Sequence, residues 1–525
     1  MTARDPTHQP LQGPTLETLL AAAPAVPLAG AAVPPASMPV PALAVDSRKV
    51  AEGTVFVAVP GSRLDGADFV PYALRQGAGA IVIAPEAVAR AERAVERPAP
   101  SWGVPVLLAE VPRRWLALAA AAFHGVQPRV IAAVTGTNGK TSTAHFLRGI
   151  WAAAGRRAAS FGTTGVEGTG FEALGTLTTP EPIALHALLA DLAVKGCTHA
   201  AMEASSHGLA QHRLDGVRLS AAALTNITRD HLDYHKTHAA YVAAKLRLFR
   251  HVLPRDAVAV LGADDPVYAE ARAAALARGQ RVIATGRSAN AELRIVAQRF
   301  RPAGQQVMFG WAGRTYTVEL GLVGAFQAEN VATAAALAIA TGVPVRVVFD
   351  ALAALTPVRG RMELAGRRAN RAAVYVDYAH TPGALASALA SIRPHAEGRL
   401  ICVFGAGGDR DAGKRIEMGR AVAERADLAC VTDDNPRSED PAAIRAAVMQ
   451  GCPEAIEIGD RAEAILAGVD ALQAPGDVLL IAGKGHEQGQ EVAGRMLPFD
   501  DVSQAEAAIA ALDGLDGPHA SGGGA

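Results

Sequence analysis

From Val130 to Gly155 the chain reads VIAAVTGTNGKTSTAHFLRGIWAAAG, and no other run narrows the choice of fold as much. Val130 to Val134 is short, apolar and β-branched, as a buried strand is. Gly136 to Gly139 make a tight polar turn, and from Ala144 the apolar residues take helical spacing. Strand, glycine turn and helix together are the building unit of an α/β sheet. Unpaired N–H groups and the positive dipole end at the start of such a helix attract an anion. Lys140 adds a point charge, and Thr141 or Ser142 offers a hydroxyl to a magnesium ion. The common phosphate loop has four residues between its glycines, whereas Gly136 and Gly139 enclose only Thr137 and Asn138. A turn without a ligand is the competing reading; Lys140 followed by Thr141 tips the choice toward a nucleotide.

At 525 residues the chain is too long for one core, and about two to four domains are expected. Fifty Lys and Arg against 51 Asp and Glu, with 5% aromatic residues, give neither a basic groove nor stacking platforms, which argues against nucleic acid and for a small anionic ligand. Cys197, Cys402, Cys430 and Cys452 form no CxxC pair and read as reduced core residues of a cytosolic protein. The apolar stretch Leu19 to Val33 is broken by Pro24 and Pro27 and preceded by Glu17, so it makes a poor signal sequence. No run reaches the roughly 18 apolar residues of a membrane span. A soluble, cytoplasmic protein is therefore expected.

The α/β rhythm divides the chain into a flexible tail over 1–40, domains over 41–125, 126–356 and 357–512, and a second tail over 513–525. The middle domain includes an Ala-rich helix from Asn330 to Ala340. The last carries the strand-like runs AVYVDYA, RLICVFGAGG, LACVTDD and DVLLIAG.

Several clusters carry possible chemistry. Glu203 follows an apolar strand-like run, where open α/β sheets present ligand groups, and can hold magnesium or serve as a capping residue. The next segment holds Asp230, His231, Asp233, His235, His238 and Lys245. Four-residue spacing puts His231 and His235 on one helical face, as in zinc hydrolases, but Leu232 stands where a metalloprotease needs its general-base Glu. A second glycine loop, FGAGGDRDAGKR, has phosphate-loop spacing from Gly408 to Gly413, with Arg415 in place of the magnesium-binding hydroxyl. It is read as presenting Arg410 to an anion. DDNPRSED supplies Asp434, Asn435 and Arg437 about a turn at Pro436, and AGKGHEQG supplies Lys484, His486 and Glu487. Guanidinium for carboxylate and carboxylate for ammonium would grip a zwitterion; surface turns with salt bridges are the alternative.

GTNGKTS, MEASSHGLAQHR, TNITRDHLDYH with the downstream AAK, VDYAHTP, GGDRDAGKR, DDNPR and AGKGHE stand in the order found in the Mur ligases, and the resemblance spans Ala44 to Asp501. It implies three domains: one for a UDP-sugar, a central ATPase with a parallel-rich sheet, and a C-terminal Rossmann-like domain for the incoming amino acid. The implied activity is ATP-dependent amide-bond formation on UDP-N-acetylmuramoyl-L-alanyl-D-glutamate through an acyl phosphate, in peptidoglycan precursor synthesis by a monomeric enzyme.

Under that resemblance Gly136, Thr137, Asn138, Gly139, Lys140, Thr141, Ser142, Asn330, Arg361 and Asp377 fall at ATP positions. Thr141, Glu203, His231 and Lys245 fall at magnesium positions, with Lys245 carboxylated by carbon dioxide; Lys140, Glu203, His231 and Lys245 form the catalytic set. Val45, Ser47, Thr178, Thr179, Ser205, Gln211 and Arg213 match the UDP-sugar positions. Arg410, Asp434, Asn435, Pro436, Arg437, Gly483 and Glu487 match the amino-acid pocket. Arg437 resembles the residue of members that add meso-diaminopimelate; lysine-adding members usually lack it. The extra carboxylate needs a cationic partner when buried. Gln327 departs from the Asn that many members carry. The alternatives are lysine addition, a folylpolyglutamate synthetase-like ligase, and a nucleotide-binding switch without ligase chemistry.

Overall fold

A computed structural model describes residues 13–35, 37–61, 64–172, 177–228, 230–409 and 412–514. The described residues form two compact units: those within 13–140, 155–261 and 265–282 make the first, and those within 141–154, 262–264 and 283–514 the second.

The first unit begins earlier than its composition suggests. The segment expected as a tail is folded from residue 13: Thr15 caps a helix, Leu16–Ala22, whose Leu16 and Leu19 are buried beside Trp115 and Leu116. Five strands follow in the order Val26–Pro27, Val106–Leu108, Ala80–Ile83, Val55–Val57 and Leu43–Ala44, parallel except at the Val26 edge. Alternate residues serve opposite faces, as strand geometry requires. Val55, Val57, Ala80 and Val82 join one core, and Phe56, Ile81 and Ile83 the other.

Farther along the same unit, Val130–Thr135 lies between Ala221–Leu224 and His199–Glu203 in a parallel array. Ala158–Gly162 pairs with the outer side of His199–Glu203 and turns back antiparallel through Gly165–Glu167. Near-continuous burial of these strands is what a sheet covered on both faces demands. The central strand therefore delivers the glycine loop at its carboxyl end, beside the ends of its two neighbours.

The second unit contains an antiparallel meander, Leu293–Arg301, Gly304–Trp311 and Arg314–Leu320. The Ala-rich helix runs Gln327–Ala340, one turn longer at its start than expected. A six-stranded sheet follows in the order Glu363–Arg367, Ala373–Asp377, Val478–Ala482, Leu400–Phe404, Leu428–Val431 and Ile456–Glu457. It is parallel except for its first strand. The strand latest in sequence within this sheet, Val478–Ala482, is inserted between Ala373–Asp377 and Leu400–Phe404. Asp377, the glycines after Phe404, the turn after Val431 and the loop after Ala482 thus open at one edge. Among the described residues no helix is long and apolar enough to cross a membrane.

Candidate active site

The loop after Val130–Thr135 is shaped by close approach. Gly136 has φ +148°, and a Cβ there would collide with the Thr225 hydroxyl. Gly139, at φ +84°, turns the chain into the helix Lys140–Ala153. The loop backbone is tied to the neighbouring strand end: Thr137 N donates to Asn226 O at 2.7 Å, Asn138 N to Asn226 Oδ1 at 3.1 Å, and Thr225 Oγ1 to Asn138 O at 2.6 Å. Lys140 Nζ donates back to the carbonyls of Gly136 (3.1 Å) and Thr137 (2.9 Å), so its charge sits at the loop. Thr141 and Ser142 are the next residues of the helix, and Ser142 is buried.

Lys245 lies on the helix His238–Arg247 and is 1% exposed. Its Nζ donates to Gly136 O at 2.6 Å and stands 4.7 Å from the centre of the Tyr241 ring. Burial, reinforced by the charge of Lys140, holds its pKa well below the usual lysine value of 10.5. A helix-surface lysine would show none of this.

Glu203 ends its strand at 1% exposure, accepting from Thr163 N at 2.7 Å and Thr163 Oγ1 at 3.4 Å. The space it fills is open because Gly162 has no side chain. Thr179 Oγ1 donates to Glu203 O (2.9 Å) and accepts from Ser205 N (3.0 Å); Ser205 Oγ caps the helix Ser206–Ala210. Arg213 donates to Thr179 O (2.7 Å) and to Gln211 Oε1 (2.7 Å), and Thr178 meets Thr163 at 3.0 Å. Thr178, Thr179, Ser205, Gln211 and Arg213 therefore gather around Glu203. Val45 and Ser47 belong to the five-stranded sheet's end of the unit, and no hydrogen bond among the described residues ties them to this cluster.

His231 does not share a helical face with His235. It takes a left-handed conformation, φ +51°, and caps the short helix Leu232–His235 from outside, with Asp230 at 3.4 Å. The rings of His231, Tyr234 and His235 instead surround His207, at 4.9, 4.1 and 5.5 Å. The i, i+4 zinc geometry is thereby lost, because it requires both residues inside one helix.

In the second unit, Asn330 donates to Gln327 Oε1 at 3.0 Å, both side chains being buried. The Arg361 guanidinium lies 4.4 Å over the Tyr378 ring. Asp377 accepts from Met362 N and Ala379 N, both at 2.9 Å; its burial pushes the carboxyl pKa up, against the pull of Arg361 and those N–H groups.

The residues expected to grip a zwitterion come from three loops of the second unit. Asn435 Nδ2 donates to Glu487 Oε2 at 2.9 Å, while its Oδ1 accepts from Lys484 Nζ at 3.0 Å and Glu491 N at 2.9 Å, which fixes the amide orientation. Arg437, at φ +54°, sends Nη1 to Gly408 O at 2.7 Å. Gly483, at φ +122°, permits the close approach of Asp434, whose Oδ2 is buried with no hydrogen-bond partner among the described residues. Pro436 holds the turn between Asn435 and Arg437. Arg410 lies outside the described residues. Arg415, which stands in place of a magnesium-binding hydroxyl, is buried and pairs with the Glu439 carboxylate at 2.8 Å.

Arg461 was not among the expected site residues, and Lys484 was named from the sequence without a role of its own. Lys484 is fully buried, its ammonium bridging Asn435 and Glu487. Arg461, 0% exposed, pairs with the equally buried Asp501 at 2.7 Å and donates to Ala482 O at 3.0 Å, propping the strand end from which Gly483 departs. Lys484 carried a signal, a lysine enclosed by glycines directly after a buried strand; Arg461 carried none.

The family description "Mur ligase family, catalytic domain" matches residues 40–124, "Mur ligase middle domain" residues 134–338, and "Mur ligase, glutamate ligase domain" residues 360–485. An Agrobacterium fabrum protein named UDP-N-acetylmuramoyl-L-alanyl-D-glutamate--2,6-diaminopimelate ligase is 50% identical over 472 residues, 90% of this chain and 94% of its own. One of the same name from Caulobacter vibrioides is 50% identical over 477 residues, covering 90% and 95%. A solved structure of a ligase with that name superposes with a TM-score of 0.70 at 32% identity, covering 95% of this chain and 99% of that one.

Proposed function

Because the chain belongs to the Mur ligase family, we propose that it joins meso-2,6-diaminopimelate to UDP-N-acetylmuramoyl-L-alanyl-D-glutamate, driven by ATP. The observation that carries this reading is 50% identity, over nine tenths of the chain, to ligases of that name. The same observation disfavours lysine addition, a folate-type ligase and a binding switch.

The glutamyl carboxylate attacks the γ-phosphorus of ATP, ADP leaves, and an acyl phosphate forms. The amine of the incoming residue then attacks the acyl carbon, and phosphate departs from the tetrahedral adduct. Phosphoryl transfer asks the protein chiefly for positioning and for charge aimed at the equatorial oxygens. Loop residues Gly136 to Ser142 supply the positioning and Lys140 the charge. Asn330, Arg361 and Asp377 are assigned to the base, phosphates and ribose. Thr178, Thr179, Ser205, Gln211 and Arg213, with Val45 and Ser47, are assigned to the UDP-sugar peptide.

Magnesium, when bound, offsets phosphate charge; Thr141, Glu203, His231 and Lys245 are the residues assigned to it. Hard oxygen donors suit that ion, and the buried, pre-aligned carboxylate of Glu203 fits. An ammonium at Lys245 does not. Its depressed pKa favours the neutral amine, whose Nζ can add to the carbon of carbon dioxide and lose a proton, giving a carbamate with two oxygens. Asp434, Asn435, Pro436, Arg437, Gly483 and Glu487, with Arg410, are assigned to diaminopimelate: guanidinium to its distal carboxylate, Glu487 to its ammonium.

The test is product mass after incubation with magnesium, ATP and UDP-N-acetylmuramoyl-L-alanyl-D-glutamate, with meso-diaminopimelate and L-lysine in competition. An ATP-dependent increase matching diaminopimelate is expected. Lysine incorporation would remove the specificity assignment, and no amide product with either would remove the ligase.

A further inference from the structure

Beyond the pocket residues assigned above, the hairpin Gly489–Val492 with Arg495–Pro498 lies along the turn that carries Arg437. Arg437 N donates to Glu491 O at 3.0 Å, Ala493 N donates to Arg437 O at 2.7 Å, and Glu491 N donates to Asn435 Oδ1 at 2.9 Å. Main-chain bonds to two pocket residues thus fasten the backbone of Glu491. Its side chain, 38% exposed, is the movable part, and its Oε2 stands 3.3 Å from Arg437 Nε.

Glu487 is engaged by Lys484 at 3.2 Å and by Asn435 at 2.9 Å. Among the described residues, the carboxylate within ion-pair distance of Arg437 is that of Glu491. We infer that Glu491 is a built-in carboxylate that occupies the guanidinium of Arg437 in the empty pocket and yields it to the distal carboxylate of the incoming amino acid, so that it is a specificity-determining residue. This rests on the assignment of Arg437 to that carboxylate.

Two anions compete for one guanidinium, and the one that stays behind repels the newcomer. An amino acid with a distal carboxylate must therefore displace Glu491. Lysine has no such group, leaves the Arg437–Glu491 pair standing, and presents an ammonium that a nearby anion attracts. Glu491 accordingly narrows the preference for the dicarboxylic substrate, while its placeholder keeps the guanidinium oriented between turnovers.

The test uses the full chain with ATP and UDP-N-acetylmuramoyl-L-alanyl-D-glutamate saturating, and measures KM and kcat for meso-diaminopimelate and for L-lysine. E491Q retains the main-chain bonds that hold the hairpin. The pair is partly exposed, so E491Q is expected to lower KM for diaminopimelate by about two- to fivefold, less at high salt, and to leave KM for lysine unchanged or raised. In the R437M background the same substitution should have no effect on diaminopimelate. An unchanged or raised diaminopimelate KM in E491Q, or an equal gain in the R437M background, overturns the inference. If R437M alone raises KM for both amino acids equally, the assignment of Arg437 fails instead, and the inference falls with it.

Discussion

Lys140 and Lys245 donate to the same acceptor, the carbonyl oxygen of Gly136, at 3.1 and 2.6 Å. Two ammonium groups at that spacing repel, and the buried one is the one whose proton is held less tightly. A lysine from a helix more than a hundred residues downstream thereby shares the Gly136 carbonyl with Lys140, its pKa held well below the ordinary 10.5.

Replacing Lys245 by methionine tests that state through stability. The folded pKa is depressed, so between it and the ordinary 10.5 the unfolded chain binds more protons and stability rises with pH. In buffer free of carbon dioxide, K245M should be more stable than the wild type at neutral pH, and the gap should close as pH climbs toward 10.5. Urea unfolding across that range reads it. Ligase turnover by K245M should fall about 100-fold or more, the scale of losing one preorganised electrostatic group.

At Gly136 the expected outcome of an alanine substitution is loss of ATP use rather than of the fold. The added Cβ meets the Thr225 hydroxyl and demands a backbone conformation that alanine disfavours. KM for ATP should rise by about tenfold or more, with strained φ costing on the order of 1–3 kcal/mol. A G136A protein with wild-type ATP kinetics would contradict the tight-loop account.

Removal of the Arg437 side chain should separate the two substrates. Hydrogen bonds to charged groups contribute about 1.5–3 kcal/mol, so R437A should raise KM for diaminopimelate by about 10- to 150-fold. KM for ATP should stay within about threefold. Equal losses for both would count against the pocket assignment.

Asp215 sets a limit on acid stability. Burial alone would raise its pKa, but hydrogen bonds from His212 and Arg247 outweigh that and bring it down to about 2. Its folded pKa lies below the unfolded value of 3.8, so the stabilisation is complete above that value and is lost as pH falls toward about 2. D215N should therefore cost about 2 kcal/mol at pH 7, and the difference from wild type should vanish below about pH 2. Chemical denaturation at a series of pH values measures it.

Much of the architecture could be read from local pattern, because strand, glycine turn and helix from Val130 to Ala153 depend on neighbours in sequence. The buried strands Ala373–Asp377, Leu400–Phe404, Leu428–Val431 and Val478–Ala482 were legible for the same reason. Where the reading failed, the cause was a distant contact or an unusual backbone conformation. Leu16 and Leu19 sit in a Pro- and Ala-rich stretch, yet they are held by Trp115 and Leu116 far along the chain. His231 misleads because its left-handed backbone, not its spacing, sets its direction. Lys484 and Glu491 meet Asn435 across 49 and 56 residues, and no periodicity in one sequence encodes such a meeting.

The Arg461–Asp501 pair also fixes an order of events. A guanidinium with no exposed surface needs its counter-charge, and that carboxylate arrives 40 residues later, at the start of the helix Asp501–Asp513. A chain emerging from the ribosome has Thr225, Asn226 and Lys245, which bond the loop after Val130–Thr135, long before then. A nascent chain stopped before residue 501 would leave that guanidinium without its counter-charge, and the strand end at Ala482 without a firmly held prop.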